Sequence, residues 1–146
     1  MLPRSAIVAE ARTWLGTPYR HQCSQRDAGC DCLGLVRGVW RALIGPEPEA
    51  IPAYTPDWVD HAGVETLHEA AVRWLAPIDG VVAPGDVLLF RMDAASPMKH
   101  LAILTDSETI VHAYWARAVV ESRLSHWWRA RIGAAFSFPG VQAWRS

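Results

Sequence analysis

The order of its apolar patterns limits the fold of this chain more than any other feature, because the patterns are helical in the first half and strand-like in the second. Apolar residues recur at helical spacing from Ile7 to Leu15, from Leu35 to Leu43 and from Val64 to Leu75. After Pro84-Gly85-Asp86 they form short β-prone runs separated by turn residues. Helices followed by a group of strands predict an α+β fold, with N-terminal helices packed on a mainly antiparallel sheet.

Local signals place the predicted elements. Pro3 and Gly16 bound the first helix. Asp31 is a capping residue for the second, which runs from Cys32 to about Leu43, and the third covers roughly residues 60–76. The predicted strands are Val87–Phe90, Leu101–Leu104, Thr109–His112, Ala118–Val120 and Ala134–Phe138. A chain of 146 residues suits one core, so we predict a single domain over residues 1–146.

Composition and charge exclude several classes of protein. The formal net charge is −1, so the chain lacks the basic excess with which proteins bind nucleic acid directly. No apolar run approaches the roughly 20 residues of a membrane span. Glu10 and Arg12 interrupt the region in which a secretory signal peptide would be apolar, which predicts that the protein is cytoplasmic on synthesis.

Cys32 stands where the second helix begins, and two interpretations of it are open. Free cysteine is among the most buried residue types, so one interpretation is a small core residue. The other is a nucleophile, because the positive end of the helix macrodipole stabilises a thiolate in the first turn. This second interpretation predicts that the pKa of Cys32 lies below that of a free thiol.

Two histidines on neighbouring predicted strands are the candidate partners of the thiol. His100 precedes an apolar run, and taken alone an exposed loop residue is the simpler interpretation of it. His112 interrupts an apolar strand and needs a hydrogen-bond partner if it is buried. If the two strands form a hairpin, both rings lie near its open end, where His112 can fix the tautomer of His100.

A zinc site is the competing interpretation of the cysteine cluster, with His21, Cys23, Cys30 and Cys32 as ligands. Structural zinc ligands usually come in closely spaced pairs at the two ends of a loop. Here Cys23 is distant from Cys30 in the sequence. Cys30 and Cys32 occupy alternate positions, whose side chains tend to face in opposite directions. This spacing disfavours zinc, and we expect no metal and no cofactor. An odd, clustered set of three cysteines does not form a disulfide framework either.

Five motifs follow one another along the chain: Gly16-Thr17-Pro18-Tyr19, Asp31-Cys32-Leu33-Gly34-Leu35-Val36, Pro84-Gly85-Asp86, His100-Leu101-Ala102-Ile103 and Ile110-Val111-His112-Ala113. Together they resemble the NlpC/P60 family of cell-wall cysteine peptidases over nearly the whole chain. The resemblance implies a papain-like α+β fold, in which the catalytic cysteine opens a helix packed on an antiparallel sheet. The form Asp-Cys-Leu-Gly-Leu-Val-Arg is similar to cell-wall peptidases encoded with phage tail genes and in gene transfer agents.

The resemblance also implies roles for five residues. Cys32 would be the nucleophile, His100 the general base and His112 the residue that orients the base. Tyr19 and the backbone N–H of Cys32 would stabilise the oxyanion. Asp31 would contact the free amine of a peptide stem, although a helix N-cap is an equally compatible role for it.

The activity implied by the resemblance is cleavage of the peptidoglycan stem peptide between D-γ-glutamate and the diamino acid, by a Cys-His-His mechanism. Leu33 replaces the family's usual serine, which leaves the stem-peptide preference open. The phage-like subtype implies tail proteins as partners, and delivery within a particle to the periplasm or cell wall of a target cell. Two alternatives are an acyltransferase or amidase on the same fold, and a catalytically idle tail component.

Overall fold

The structure of the protein is a computed structural model that describes residues 1–50, 66–114 and 117–144. Its helices are α1 (Arg4–Arg12), α2 (Cys32–Leu43), α3 (Thr66–Trp74) and α4 (His126–Arg129). Its strands are β1 (Ser24–Gln25), β2 (Gly29–Cys30), β3 (Ala76–Pro77), β4 (Val87–Phe90), β5 (His100–Leu104), β6 (Thr109–Ala113), β7 (Val119–Arg123) and β8 (Ile132–Ser137). None of the helices in these ranges is long and apolar enough to span a bilayer.

Six of the strands form one antiparallel sheet in the order β3-β8-β4-β5-β6-β7. Helices α1 and α2 pack together and α2 contacts β5, so the helices lie on the sheet as predicted. The α+β expectation is confirmed. Strands β4 and β5 are buried along their whole length, because apolar clusters cover both faces of the sheet.

Two glycines let α2 approach its neighbours closely. A Cβ on Gly38 would lie 2.0 Å from the ring of Trp14, which follows α1. A Cβ on Gly34 would lie 1.9 Å from the carbonyl oxygen of Cys23. Any larger residue at either position would push α2 away, so Gly38 lets α2 pack on Trp14 and Gly34 keeps the start of α2 against the preceding loop.

A buried carboxylate joins α1 to the sheet. Asp86 is 1% exposed, and its Oδ1 accepts hydrogen bonds from Arg4 Nη1 and Ser137 Oγ, both at 2.7 Å. Its Oδ2 accepts from the backbone N–H of Ala83 at 2.8 Å. A buried charge is tolerated when it is paired and hydrogen-bonded in this way. Asp86 therefore fixes the turn before β4, the last strand and the first helix relative to one another.

Several details differ from the sequence-based expectation. The short strands β1, β2 and β3 and the single turn α4 were not predicted, because they are too short to show a periodic pattern. The apolar pattern from Val64 to Leu75 includes Leu67, Ala71 and Trp74, and of these Leu67 and Ala71 are buried whereas Trp74 is 37% exposed. Val64 and the start of the predicted third helix lie outside the described residues.

Candidate active site

Cys32 is the first residue of α2 and lies against the start of β5. Its side chain is 8% exposed, and its Sγ lies 3.9 Å from the backbone carbonyl oxygen of Lys99, within range of a weak S–H hydrogen bond. Lys99 immediately precedes His100 in the chain. The fold therefore brings the helix N-terminus and the predicted base-bearing strand together, although they are far apart in sequence.

His100 and His112 contact each other across neighbouring strands. The β5–β6 register pairs Ile103 with Val111, which puts the two histidines on the same face of the sheet. His100 Nε2 lies 2.8 Å from His112 Nδ1, so the ring contact expected from the sequence is present. The imidazoles are 7% and 1% exposed, respectively. Because Nε2 of His100 is engaged by His112, Nδ1 is the ring nitrogen that can serve the thiol.

Cys32 and His100, the predicted nucleophile and base, are not hydrogen-bonded to each other. In the described part of the chain, the hydrogen bond of Cys32 Sγ runs to Lys99 and that of the His100 ring to His112. Catalytic hydrogen bonds are often long or misaligned before substrate binds.

Two residues that contact the histidine pair, Trp128 and Ser122, were missed by sequence reasoning. Trp128 on α4 stacks on His100, with ring centroids 5.3 Å apart and an interplanar angle of 29°. It also meets the ring of His112 edge-on at 5.3 Å. Ser122 on β7 lies with its Oγ 2.9 Å from His112 Nε2. Trp128 is one of eight tryptophans in the chain, and nothing in the local sequence marks it or Ser122 as a site residue.

The sequence profile of the NlpC/P60 family matches residues 16–135, which include Tyr19, Asp31, Cys32 and both histidines. The chain belongs to the NlpC/P60 family.

Solved structures agree with this assignment. The NlpC/p60 domain of the peptidoglycan hydrolase SagA is 26% identical, with a TM-score of 0.62, and the match covers 92% of this chain and 98% of that one. An NlpC/P60 family protein from Bacillus cereus is 18% identical with a TM-score of 0.67, and the match covers 92% of this chain and 40% of that one. A lipoprotein-like NLP/P60 family protein from Staphylococcus aureus is 19% identical with a TM-score of 0.60, at 96% and 42% coverage. No curated protein sequence matches the chain.

The resting thiol of this NlpC/P60 domain is neutral, contrary to the expectation from its place on the helix. Burial raises the pKa of Cys32 to about 12, and the negative charge of Asp31 acts in the same direction. Backbone N–H groups of Leu101 and Leu33 lower it by less than these effects raise it. The prediction of a depressed Cys32 pKa was therefore wrong. The helix macrodipole favours the thiolate of Cys32, but desolvation of the buried helix end disfavours it more strongly.

The two histidines are neutral as well. Burial lowers the pKa of His100 to about 3, and the adjacent His112 contributes further. Burial alone lowers the pKa of His112 to about 4. At neutral pH the site therefore holds a thiol and two uncharged imidazoles rather than a thiolate–imidazolium pair. If the thiol acts as a nucleophile, its proton would have to move to an imidazole during the attack.

Tyr19 lies within electrostatic range of the same thiol. Its backbone forms a parallel bridge with Cys30, and its N–H donates to the carbonyl oxygen of Arg117 at 2.8 Å. Burial raises the pKa of its phenol, and a negative charge on Cys32 raises it further. The phenol thus stays protonated and close enough to Cys32 to interact with it electrostatically. Its predicted oxyanion role remains a prediction.

Asp31 is an N-cap in this structure. It is 2% exposed, and its Oδ1 accepts from the backbone N–H of Gly34 at 2.7 Å. Its Oδ2 accepts from the backbone N–H of Gln22 at 2.8 Å and lies 3.9 Å from His21 Nδ1. Both carboxylate oxygens hold the loop and the helix together, which supports the structural role over the predicted contact with a substrate amine.

Asp31→Asn tests both the cap and the charge. The asparagine side chain keeps one oxygen acceptor but has an NH₂ donor in place of the other, so one backbone N–H loses its partner. We expect the free energy of unfolding to fall by about 1–2 kcal/mol in urea denaturation. Loss of the charge should lower the pKa of Cys32, so the midpoint of its iodoacetamide labelling moves to lower pH. A Cys23→Ser background removes labelling of the exposed Cys23.

The exposed Asp79→Asn is the matched control for the Asp31 variant. It should change neither the unfolding curve nor the labelling midpoint. An unchanged midpoint in Asp31→Asn would show that the thiol does not feel the Asp31 charge.

The competing zinc interpretation finds no arrangement to support it in residues 1–50, 66–114 and 117–144. No group of three or more His, Cys, Asp or Glu side chains there is placed to hold a metal ion. Cys23 is exposed, whereas Cys30 and Cys32 are buried, and all three are free thiols. Burial raises the pKa of Cys30 to about 12, which leaves it unreactive.

Proposed function

We propose that this NlpC/P60 domain is a cysteine endopeptidase that cleaves the peptidoglycan stem peptide between D-γ-glutamate and the diamino acid. The observation that carries the proposal is the convergence of the α2 N-terminus, bearing Cys32, with the hydrogen-bonded pair His100–His112 on β5 and β6. A related domain with similar coverage of both chains belongs to a peptidoglycan hydrolase. A nucleophile, a base and a group that orients the base are the parts that acyl transfer through a thiol requires.

The proposed reaction starts from the neutral pair. His100 Nδ1 takes the proton of Cys32 as Sγ attacks the scissile carbonyl carbon, which avoids a free thiolate in a buried site. The oxyanion that forms would be held by the Cys32 N–H and the Tyr19 hydroxyl, each worth about 3 kcal/mol if well aligned. The imidazolium of His100 then protonates the leaving amine. Water, deprotonated by His100, hydrolyses the thioester and restores the thiol.

The setting of the reaction forms the second part of the proposal. The domain would be carried by a phage-like tail and act on the wall or in the periplasm of the target cell, with tail proteins as partners. The support is the resemblance of the Cys32 motif to tail-associated peptidases. Mass spectrometry of purified particles tests this part, and absence of the protein from them would remove the delivery role without touching the chemistry.

The experiment that tests the reaction is fragment analysis of purified peptidoglycan digested with the wild-type protein, with Cys32→Ala as the blank. New termini at D-glutamate and at the diamino acid, formed only by the wild type, are expected. Termini at another amide, or transfer of the stem to an added amine, would favour the amidase or acyltransferase alternative. No product from intact walls or soluble stem peptides would favour the idle structural alternative.

A further inference from the structure

A hydrogen-bonded row of side chains continues beyond the two histidines to a third strand. His100 on β5 contacts His112 on β6 at 2.8 Å, and His112 Nε2 contacts Ser122 Oγ on β7 at 2.9 Å. The β6–β7 register pairs His112 with Val120, so Ser122, two residues further, lies on the same face of the sheet. Ser122 is half-buried, which lets its hydroxyl proton point towards solvent while its oxygen faces the ring.

The positions of the ring protons connect the Ser122 hydroxyl to His100, the proposed base. Both imidazoles are neutral, so each carries one N–H. For His100 Nδ1 to accept the thiol proton, the N–H of His100 must lie on Nε2 and donate to His112 Nδ1. The N–H of His112 then lies on Nε2, where Ser122 Oγ is the acceptor. The opposite arrangement puts a proton on His100 Nδ1 and blocks the base.

We propose that Ser122 is a positioning residue that holds both histidines in the base-competent tautomer by accepting a hydrogen bond from His112 Nε2–H. The inference rests on the proposed role of His100 as base. A buried N–H without an acceptor is tolerated less well than a buried nitrogen lone pair without a donor. Loss of the Ser122 oxygen therefore favours the tautomer with its proton on His112 Nδ1, which is the blocked one.

Three substitutions separate this role from a merely structural one. Ser122→Thr keeps the hydroxyl, Ser122→Ala removes it, and Ser122→Asp supplies an acceptor that cannot donate. A structural role would rank the variants by size and polarity, with aspartate the most disruptive. In the proposed role, the effect of each variant depends on whether its side chain can accept the hydrogen bond from His112. The threonine and aspartate variants therefore keep the Nε2–H tautomer of His112, and the alanine variant loses it.

Long-range ¹H–¹⁵N NMR of the labelled protein reads the tautomer directly and needs no substrate. We expect the Nε2–H form of His112 in the wild type and in the threonine and aspartate variants, and a mixture in Ser122→Ala. Iodoacetamide labelling of Cys32, in a Cys23→Ser background, should slow about tenfold in Ser122→Ala. The exposed Ser107→Ala, in the β5–β6 turn, is the matched loss of a hydroxyl and should match the wild type in both measurements.

Activity gives the third measurement. The carboxylate of Ser122→Asp should raise the pKa of the histidine pair, so the acidic limb of kcat/KM moves to higher pH. An unchanged His112 tautomer and unchanged labelling in Ser122→Ala would overturn the inference, even if peptidoglycan cleavage is confirmed. Failure of the wild type to cleave peptidoglycan would overturn the proposed function instead, while the NMR and labelling results would still decide the role of Ser122.

Discussion

Replacement of Cys32 by alanine is expected to lower the rate of peptidoglycan cleavage at least about a thousandfold, because removal of a covalent nucleophile leaves only binding and oxyanion stabilisation. The free energy of unfolding should fall by only about 1 kcal/mol, since alanine keeps the helical backbone and the buried side chain loses a single sulfur atom. Release of soluble stem fragments over time measures the first quantity, and urea denaturation the second.

The other two cysteines supply matched controls for this prediction. Cys23→Ala removes an exposed thiol and should leave activity unchanged. Cys30→Ala removes a fully buried thiol from the core, so it should lower stability while the remaining folded protein keeps its activity. Comparable loss of activity in Cys23→Ala and Cys32→Ala, or substantial turnover by Cys32→Ala, would exclude Cys32 as the nucleophile.

The parts of the fold that the sequence predicts well are those set by local signals. The apolar stripe and the Asp31 cap predict α2 from Cys32 to about Leu43, and the structure has it at Cys32–Leu43. Strands β4 and β6 were placed within a residue of their observed bounds because turn residues flank them. Periodicity alone does not specify which strands are neighbours, so the pairing of the strands that carry His100 and His112 was only a condition, and the structure meets it.

The features that were missed depend on contacts between distant segments. Ser122 belongs to a polar, largely exposed strand, and it matters only because the β6–β7 register brings it to His112. Trp128 lies on a single helical turn, where no periodicity can show which ring it covers. The predicted direction of the Cys32 pKa shift was wrong for the same reason. The helix end is a local property, whereas burial beneath β5 is a property of the whole fold.

His100→Ala is expected to reduce turnover about as severely as loss of the nucleophile, because no other described group near Cys32 takes its proton. His112→Gln should retain far more activity, with a loss of about tenfold to a hundredfold. The glutamine carbonyl oxygen can accept from His100 Nε2–H, as His112 Nδ1 does in the proposed tautomer. Initial rates of fragment release for the two variants provide the comparison, with the exposed His126→Gln as the matched control.

The pH dependence of stability separates catalytic from structural effects in these variants. The pKa of His100 is about 3 in the folded protein and 6.5 ordinarily, so between these values the unfolded chain binds more protons. Stability therefore falls as pH decreases from 6.5 towards 3, and His100→Ala should weaken that dependence. Loss of turnover together with a shallower acid limb of stability is the expected pair of results. Equal loss of activity in His100→Ala and His112→Gln would contradict an orienting role and require His112 itself to take part in proton transfer.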